Sequence, residues 1–186
     1  DPGTPGVEDL TAGPAGAPSK VTSFLANPAN IVISSTDVFG NQYTTRPMDG
    51  ANAKLLRHGD IMTQLRTYDV MEPVTPDAGP TGTLPHFFGV HSYTSVLRSE
   101  EVILLDLRFN NGADGNDQDS VLDDPLSTMY FEKIEVQVPD GWVVLQDGVD
   151  PFFGASTSTG GNSSYPIVRA IGDGTMHLMP KQGQFH

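Results

Sequence analysis

The chain has 186 residues, no cysteine and a formal net charge of −13, from 10 Lys and Arg against 23 Asp and Glu. This length suits one domain with its own core, and the absence of cysteine excludes disulfide cross-links. Ten basic residues scattered through an acidic chain exclude the basic footprint of a nucleic-acid binder, and no apolar run is long enough to predict a transmembrane segment. The same net charge predicts repulsion of polyanionic sugars unless a cation bridges them.

The first 20 residues differ from the rest of the chain. They contain four prolines and four glycines without apolar periodicity, which is typical of a flexible arm or linker. The sequence therefore predicts an extended Pro/Gly-rich arm over residues 1–20 and a single β domain over residues 21–186. An arm that a neighbouring subunit orders would serve in self-association.

The first half of the domain shows short apolar runs separated by turn residues, which is typical of strands. A β-branched run at 31–33 ends at a turn over 39–41, and residues 54–70 read as a hairpin bent at 58–60. Residues 71–85 are polar and proline-rich, which predicts a loop. Two further strands are expected at 87–98 and 101–109.

The second half continues in the same way. Residues 130–138 alternate between apolar and polar side chains, which predicts a half-buried antiparallel strand. After a turn at 139–141, a strand is expected at 142–145, and a hairpin is expected to join 167–171 to 175–179. Without a convincing helical stripe, the prediction is an all-β fold, either an antiparallel two-sheet sandwich or a small barrel.

The segment 110–124 is rich in oxygen ligands of the kind that Ca²⁺ prefers. Its spacing does not match an EF-hand, so a solvated acidic loop between two strands is the alternative. The candidate calcium ligands are Asp114, Asn116, Asp117, Asp119, Asp123 and Asp124.

Motifs for catalysis are weak. There is no cysteine, Gly-x-Ser-x-Gly motif, phosphate-binding loop or dinucleotide fingerprint. His86 and His91 stand five apart and fall on opposite faces of an extended strand, which disfavours a shared metal. Catalytic carboxylate pairs are defined by their separation in space, so the sequence leaves enzymatic activity open while favouring a protein without it.

Four aromatic residues between 141 and 166 are candidates for binding a carbohydrate, because a sugar presents an apolar C–H face that stacks on an aromatic ring. Trp142 opens an apolar stretch, so core packing is its alternative role. The candidate ligand-binding residues are Trp142, Phe152, Phe153 and Tyr165.

The stretches 89–112, 129–142 (MYFEKIEVQVPDGW) and 170–186 resemble the N-terminal β-barrel domain of bacterial exo-rhamnogalacturonan lyase-like secreted proteins. The resemblance lies in the succession of strands and turns over about half of the domain. It implies a secreted accessory β module, with catalysis on a separate helical domain that this chain lacks.

Two functions follow as expectations. The first is an extracellular, non-catalytic structural or assembly module that contacts neighbouring subunits or domains through its arm and acidic loop, with calcium as a possible cofactor. The second is a carbohydrate-binding accessory domain of a larger secreted polysaccharide-active protein. The richness of the chain in Asn, Asp, Gly, Thr and Ser favours an extracellular or cell-surface location.

Overall fold

The computed structural model describes residues 17–27, 30–47, 53–76, 83–84, 86–111, 128–145, 157–159, 161–168, 170–171, 175–180 and 183–185. One short helix, α1 (Ser19–Leu25), precedes the strands. The strands are β1 (Val32–Asp37), β2 (Gln42–Thr44), β3 (Ala53–His58), β4 (Met62–Val70), β5 (Glu72–Pro73), β6 (Gly89–Leu97), β7 (Ile103–Asn110), β8 (Thr128–Pro139), β9 (Thr157–Thr159), β10 (Asn162–Val168), β11 (His177–Pro180) and β12 (Gln184–Phe185).

These strands form two antiparallel sheets within the described part of the chain. The seven-stranded sheet has the order β5, β2, β1, β8, β10, β9, with β11 also paired to β8. The five-stranded sheet has the order β12, β7, β6, β4, β3. The described strands leave the two sheets separate, with one apolar core drawn from both. The predicted all-β two-sheet sandwich is therefore confirmed, and the barrel alternative is not.

Strand β8 is the centre of the seven-stranded sheet, and its alternating sequence predicts its two faces correctly. Ile134, Val136 and Val138 are buried, while Lys133 and Glu135 share the other face as an ion pair at 2.9 Å. A shift in register opposite the end of β1 brings the Phe131 ring to the buried side as well. Because β1 and β10 flank β8, both of its edges are hydrogen-bonded.

The predicted turn at 39–41 joins β1 to β2 and is organised by Asp37. Its Oδ1 accepts hydrogen bonds from the backbone N–H groups of Phe39 at 2.8 Å and Asn41 at 2.9 Å. Gly40 has a φ of 85°, which side chains disfavour. An aspartate that caps its own turn therefore sets the register of these two strands.

The predicted hairpin over 54–70 forms as β3 and β4, and β4 then pairs with β6 over its full length. Strand β6 pairs with β7 in the same way. The proline-rich stretch 71–85, expected to be a loop, contains the two-residue strand β5. This strand pairs with β2 at the edge of the seven-stranded sheet.

The predicted hairpin between 167–171 and 175–179 includes residues outside the described part of the chain, so it stays a prediction. β10 pairs with residues 134–139 of β8, and β11 pairs with residues 128–131 along the same edge. Among the described residues, β10 and β11 therefore lie one after the other along the same edge of β8. A Gly-Asp-Gly turn signal is local, so it does not indicate that the segments on either side of it pair with β8.

Two further predictions are corrected. Residues 142–145 form no regular secondary structure and so no strand, and Val143 and Leu145 are exposed. Ser19 and Lys20, assigned to the arm, begin α1. This seven-residue helix is too short to be stable alone. It forms because Val21, Phe24 and Leu25 lie on one face and are buried in the core.

Candidate functional site

All six predicted calcium ligands lie outside the described residues, as do Phe152 and Phe153. Within the described ranges, no group of three or more histidine or carboxylate side chains could hold a metal ion. The calcium site therefore stays a prediction. No helix in the described part of the chain is long and apolar enough to cross a membrane.

Trp142 and Tyr165 are the two predicted ligand-binding residues that the structure describes, and both take part in internal packing. The Trp142 ring lies 4.5 Å from the Phe24 ring of α1, and the Lys20 ammonium lies 5.1 Å from its centre. Tyr165 is buried and donates a hydrogen bond to the Trp142 carbonyl at 3.2 Å. The pair joins α1, β10 and the segment after β8, and forms no open stacking platform in this arrangement.

Between the sheets, β4 directs a charged side chain into the core. Asp69 is 7% exposed, and its carboxylate accepts hydrogen bonds from Arg46 Nε at 2.9 Å, Arg46 Nη2 at 2.6 Å and the Arg46 backbone N–H at 2.6 Å. A cavity of about 20 Å³ adjoins this pair, which is room for about one water molecule. The space is too small for a sugar or cofactor, so the pair fixes the chain after β2.

The solvent-facing side of the five-stranded sheet is a different surface, and we call it the basic–aromatic face. Register places Lys54, Arg66, Tyr93 and Asp106 in one row across β3, β4, β6 and β7. The next row holds Tyr68, His91 and Arg108, and the preceding one holds Arg57, Gln64, Ser95 and Leu104. Direct cross-strand partners lie on the same face of a sheet. The face therefore combines four cationic side chains with two tyrosines and a histidine.

Contacts on this face connect its rings and cations. Arg66 Nη2 lies 3.2 Å from His91 Nδ1, and the His91 ring lies 4.4 Å from the Tyr68 ring. Arg108 lies 4.9 Å from the centre of the Tyr93 ring and also pairs with a carboxylate oxygen of Asp106 at 3.3 Å. These contacts hold the side chains in place, which lowers the entropy lost on binding a ligand.

The pKa of His91 is lowered, mainly because the ring is partly buried and further because Arg66 and Arg108 are positively charged. A guanidinium donates hydrogen bonds and cannot accept them, so Nδ1 of His91 accepts from Arg66 and Nε2 of His91 carries the proton. The imidazole is therefore neutral near pH 7. The positive field on this face comes from the guanidinium and ammonium groups.

The edge of β7 is a second distinctive feature. β7 pairs with β6 along one edge. On the other edge, β12 is the only described strand, and it pairs with Phe109 and Asn110. The Asn111 N–H donates to Gly183 O on that second side at 3.0 Å. Because backbone groups alternate along a strand, those of residues 103, 105 and 107 point to the same side. No described strand pairs with them there.

Comparison with known proteins finds no match among family models, curated proteins or solved structures. The resemblance to lyase-like accessory domains stays a prediction, and the arguments for function come from the geometry of this chain.

Neither the basic–aromatic face nor the β7 edge was predicted from the sequence. A local signal for the face exists, because Gln64, Arg66 and Tyr68 alternate along β4 and His91 and Tyr93 alternate along β6. Alternation shows that such residues share the side of one strand. It does not show that β4 and β7 flank β6, which is what brings Arg66 and Arg108 to the same surface.

Proposed function

We propose that the chain is an extracellular, non-catalytic structural module that assembles by strand addition at the free edge of β7. The observation that carries the proposal is this edge of the most apolar strand of the chain, where no described strand pairs with the backbone groups of residues 103, 105 and 107. Proteins normally protect such an edge, because it accepts another strand readily. Composition supports the extracellular location.

The occupant that fits the edge is β7 of a second copy, antiparallel about a two-fold axis. Centred on Leu105, this pairing aligns Ile103 of one copy with Leu107 of the other. All three outward-directed residues of each strand would then bond, forming about six hydrogen bonds. The register stops short of Phe109, which β12 already occupies.

Side chains on β7 also favour this pairing. Ile103, Leu105 and Leu107 face the core but are only half-buried, and Leu104 on the other side is 49% exposed. A second copy would cover part of this apolar surface. One five-residue strand pair is smaller than a standard protein interface, so the expected dimer is weak and concentration-dependent.

The contacts expected from residues 1–20 and from the acidic segment remain part of this proposal. Several weak contacts per subunit add up when they act together. Residues 1–16 can be removed without cutting α1, whereas removal of residues 1–20 would delete its first two residues. The truncation that tests the arm therefore ends at residue 16.

The test of strand addition compares Leu105→Pro with Leu105→Ala. Proline removes an N–H that faces the free edge, so it breaks contacts between copies and leaves the ladder to β6 intact. Alanine removes the same side chain but keeps the N–H. Size-exclusion chromatography with light scattering, from micromolar to millimolar protein, should show dimer formation by the parent chain and Leu105→Ala, and monomer for Leu105→Pro.

The proposal fails if the parent chain stays monomeric over the whole concentration range, or if Leu105→Pro dimerises as strongly as Leu105→Ala. Circular dichroism of both variants checks that the fold is retained.

A carbohydrate-binding accessory domain is the second candidate function, and the basic–aromatic face is the observation that favours it. The face is a broad sheet surface with aromatic rings and hydrogen-bonding groups. Trp142 and Tyr165 pack internally, so we assign sugar binding to the basic–aromatic face instead.

A further inference from the structure

The charges of this protein are segregated. Four of its ten Lys and Arg residues, Lys54, Arg57, Arg66 and Arg108, lie on the basic–aromatic face, whose three rows contain one acidic residue, Asp106. The rest of the chain carries six basic and 22 acidic residues. A local cationic surface on an acidic protein therefore favours an anionic ligand, because field strength depends on the nearest charges.

The geometry of the face suits a ligand that extends across the strands. Neighbouring strands lie about 5 Å apart, so β4 and β7 place the Cα atoms of Arg66 and Arg108 on either side of β6, about 10 Å apart. Tyr93 and His91 lie between them on β6. A chain of sugars crossing the strands would meet a cation, a ring and a second cation in succession.

Arg66 has unused capacity to bind an anion. Its side-chain contact in the structure is with the neutral His91, and no described carboxylate forms an ion pair with it. Its Nε is buried and has no hydrogen-bond partner among the described residues. A carboxylate at the guanidinium would supply the charge-assisted hydrogen bonds that this cation lacks.

The rings distinguish a sugar from other polyanions. Tyr68 and Tyr93 offer apolar surface beside the cations, and a uronic acid combines one carboxylate with an apolar C–H face. Nucleic acids and anionic membranes present a higher density of negative charge, which the 22 acidic residues elsewhere on the protein oppose.

We propose that the basic–aromatic face binds a carboxylate-bearing polysaccharide, with Arg66 and Arg108 pairing with sugar carboxylates while the tyrosine rings contact the sugar faces. The proposal rests on the second candidate function and does not depend on strand addition at β7. It replaces the expectation, drawn from net charge, that such sugars are repelled.

The experiment measures binding to alginate by affinity electrophoresis, beside alginate propylene glycol ester, in which the carboxylates are masked. The unmodified protein should be retarded by alginate at least about tenfold more strongly than by the ester, because each pairing with an ionised group is strong. Arg66→Gln combined with Arg108→Gln should lower the affinity about tenfold or more. Lys133→Gln, which removes one positive charge on the other sheet, should leave it unchanged.

A second double variant distinguishes loss of binding from loss of folding. Lys54 and Arg57 are exposed, so Lys54→Gln with Arg57→Gln should keep the melting temperature and still weaken alginate binding several-fold. Leu105→Pro should bind alginate like the parent chain, which separates this proposal from strand addition.

Three results would overturn the inference: no retardation by alginate at low salt, equal affinity for alginate and its ester, or binding that survives both double substitutions. Equal or tighter binding of polyglutamate or duplex DNA would also overturn it, since the face would then select charge and not a sugar.

Discussion

Two buried carboxylates, Asp37 and Asp69, hold the chain in place through internal donors. Asp37 accepts hydrogen bonds from two backbone N–H groups, from Asn41 Nδ2 and from the Tyr43 hydroxyl. Burial, chiefly, raises the pKa of Tyr43, so its phenol remains protonated and can donate. Asp69 is held by Arg46. Both carboxylates are satisfied, so their burial is explained by structure alone.

Gly183 directly precedes β12, in the chain between β11 of one sheet and β12 of the other. A Cβ at this position would meet Pro180 O at 2.7 Å and Met179 Cγ at 2.9 Å. Gly183→Ala should therefore lower the free energy of unfolding by about 1–3 kcal/mol, because the neighbouring atoms include backbone. Denaturant unfolding of the variant and the parent chain measures the difference.

Gly59→Ala is the matched control for this substitution. Its Cβ would lie 3.9 Å from Met62 O, an ordinary contact, so the free energy of unfolding should change by less than about 0.5 kcal/mol. Equal effects of the two alanines would contradict the steric explanation.

At the scale of elements, α1 shows how packing stabilises a segment that its own sequence does not. The helix has no side-chain cap, and its apolar side chains fill space beside Trp142. Strand β7 shows the opposite situation, since its sequence strongly favours a strand while one of its edges lacks a described partner over residues 103–108. Local propensity and tertiary environment are therefore separate contributions in this fold.

Phe24→Ala should lower the free energy of unfolding by about 3–4 kcal/mol, because it removes a buried ring and leaves a cavity against Trp142. Trp142 is the single tryptophan of the chain, so its fluorescence should shift to longer wavelength as α1 loosens. Chemical unfolding followed by tryptophan emission measures both effects.

Ser23 lies on the exposed side of the same helix. Ser23→Ala should leave the emission unchanged and alter stability by less than about 0.5 kcal/mol. An unshifted emission in Phe24→Ala would mean that α1 does not shield the indole in solution.

At the scale of the whole molecule, the distribution of charge matters more than its sum. The net charge of −13 conceals one surface on which positive side chains predominate. Four basic residues that are scattered along the sequence therefore lie together on this face. The pairing of β3, β4, β6 and β7 brings these residues, from positions 54 to 108, onto one surface. The total charge does not reveal this arrangement.

Calcium binding by the acidic segment remains a prediction at this scale. If calcium binds there at about a hundred times its dissociation constant, it adds about 2.7 kcal/mol. Chelation by EDTA should then lower the melting temperature by about 5–10 °C. Scanning calorimetry in calcium and in EDTA measures the shift.

Asp117→Asn combined with Asp119→Asn should abolish the calcium-dependent difference. Identical melting temperatures of the parent chain in calcium and in EDTA would contradict the predicted calcium site.

The sequence predicted the parts of the fold that depend on neighbouring residues. The alternation at 130–138 set the faces of β8, and the Phe39-Gly40-Asn41 turn and the bend at 58–60 lie where their residue types indicated. Each of these signals acts over a few residues, so each can be recognised without knowledge of the rest of the chain.

Tertiary structure decided which strands are neighbours, and with them the candidate sites. β8 pairs with both β10 and β11 along one edge. β6 lies between β4 and β7. The described residues of β12 pair with Phe109 and Asn110 of β7. Strand order depends on the packing of segments far apart in the chain, for which a single sequence carries no local signal. The basic–aromatic face and the β7 edge therefore became visible only in the assembled sheets.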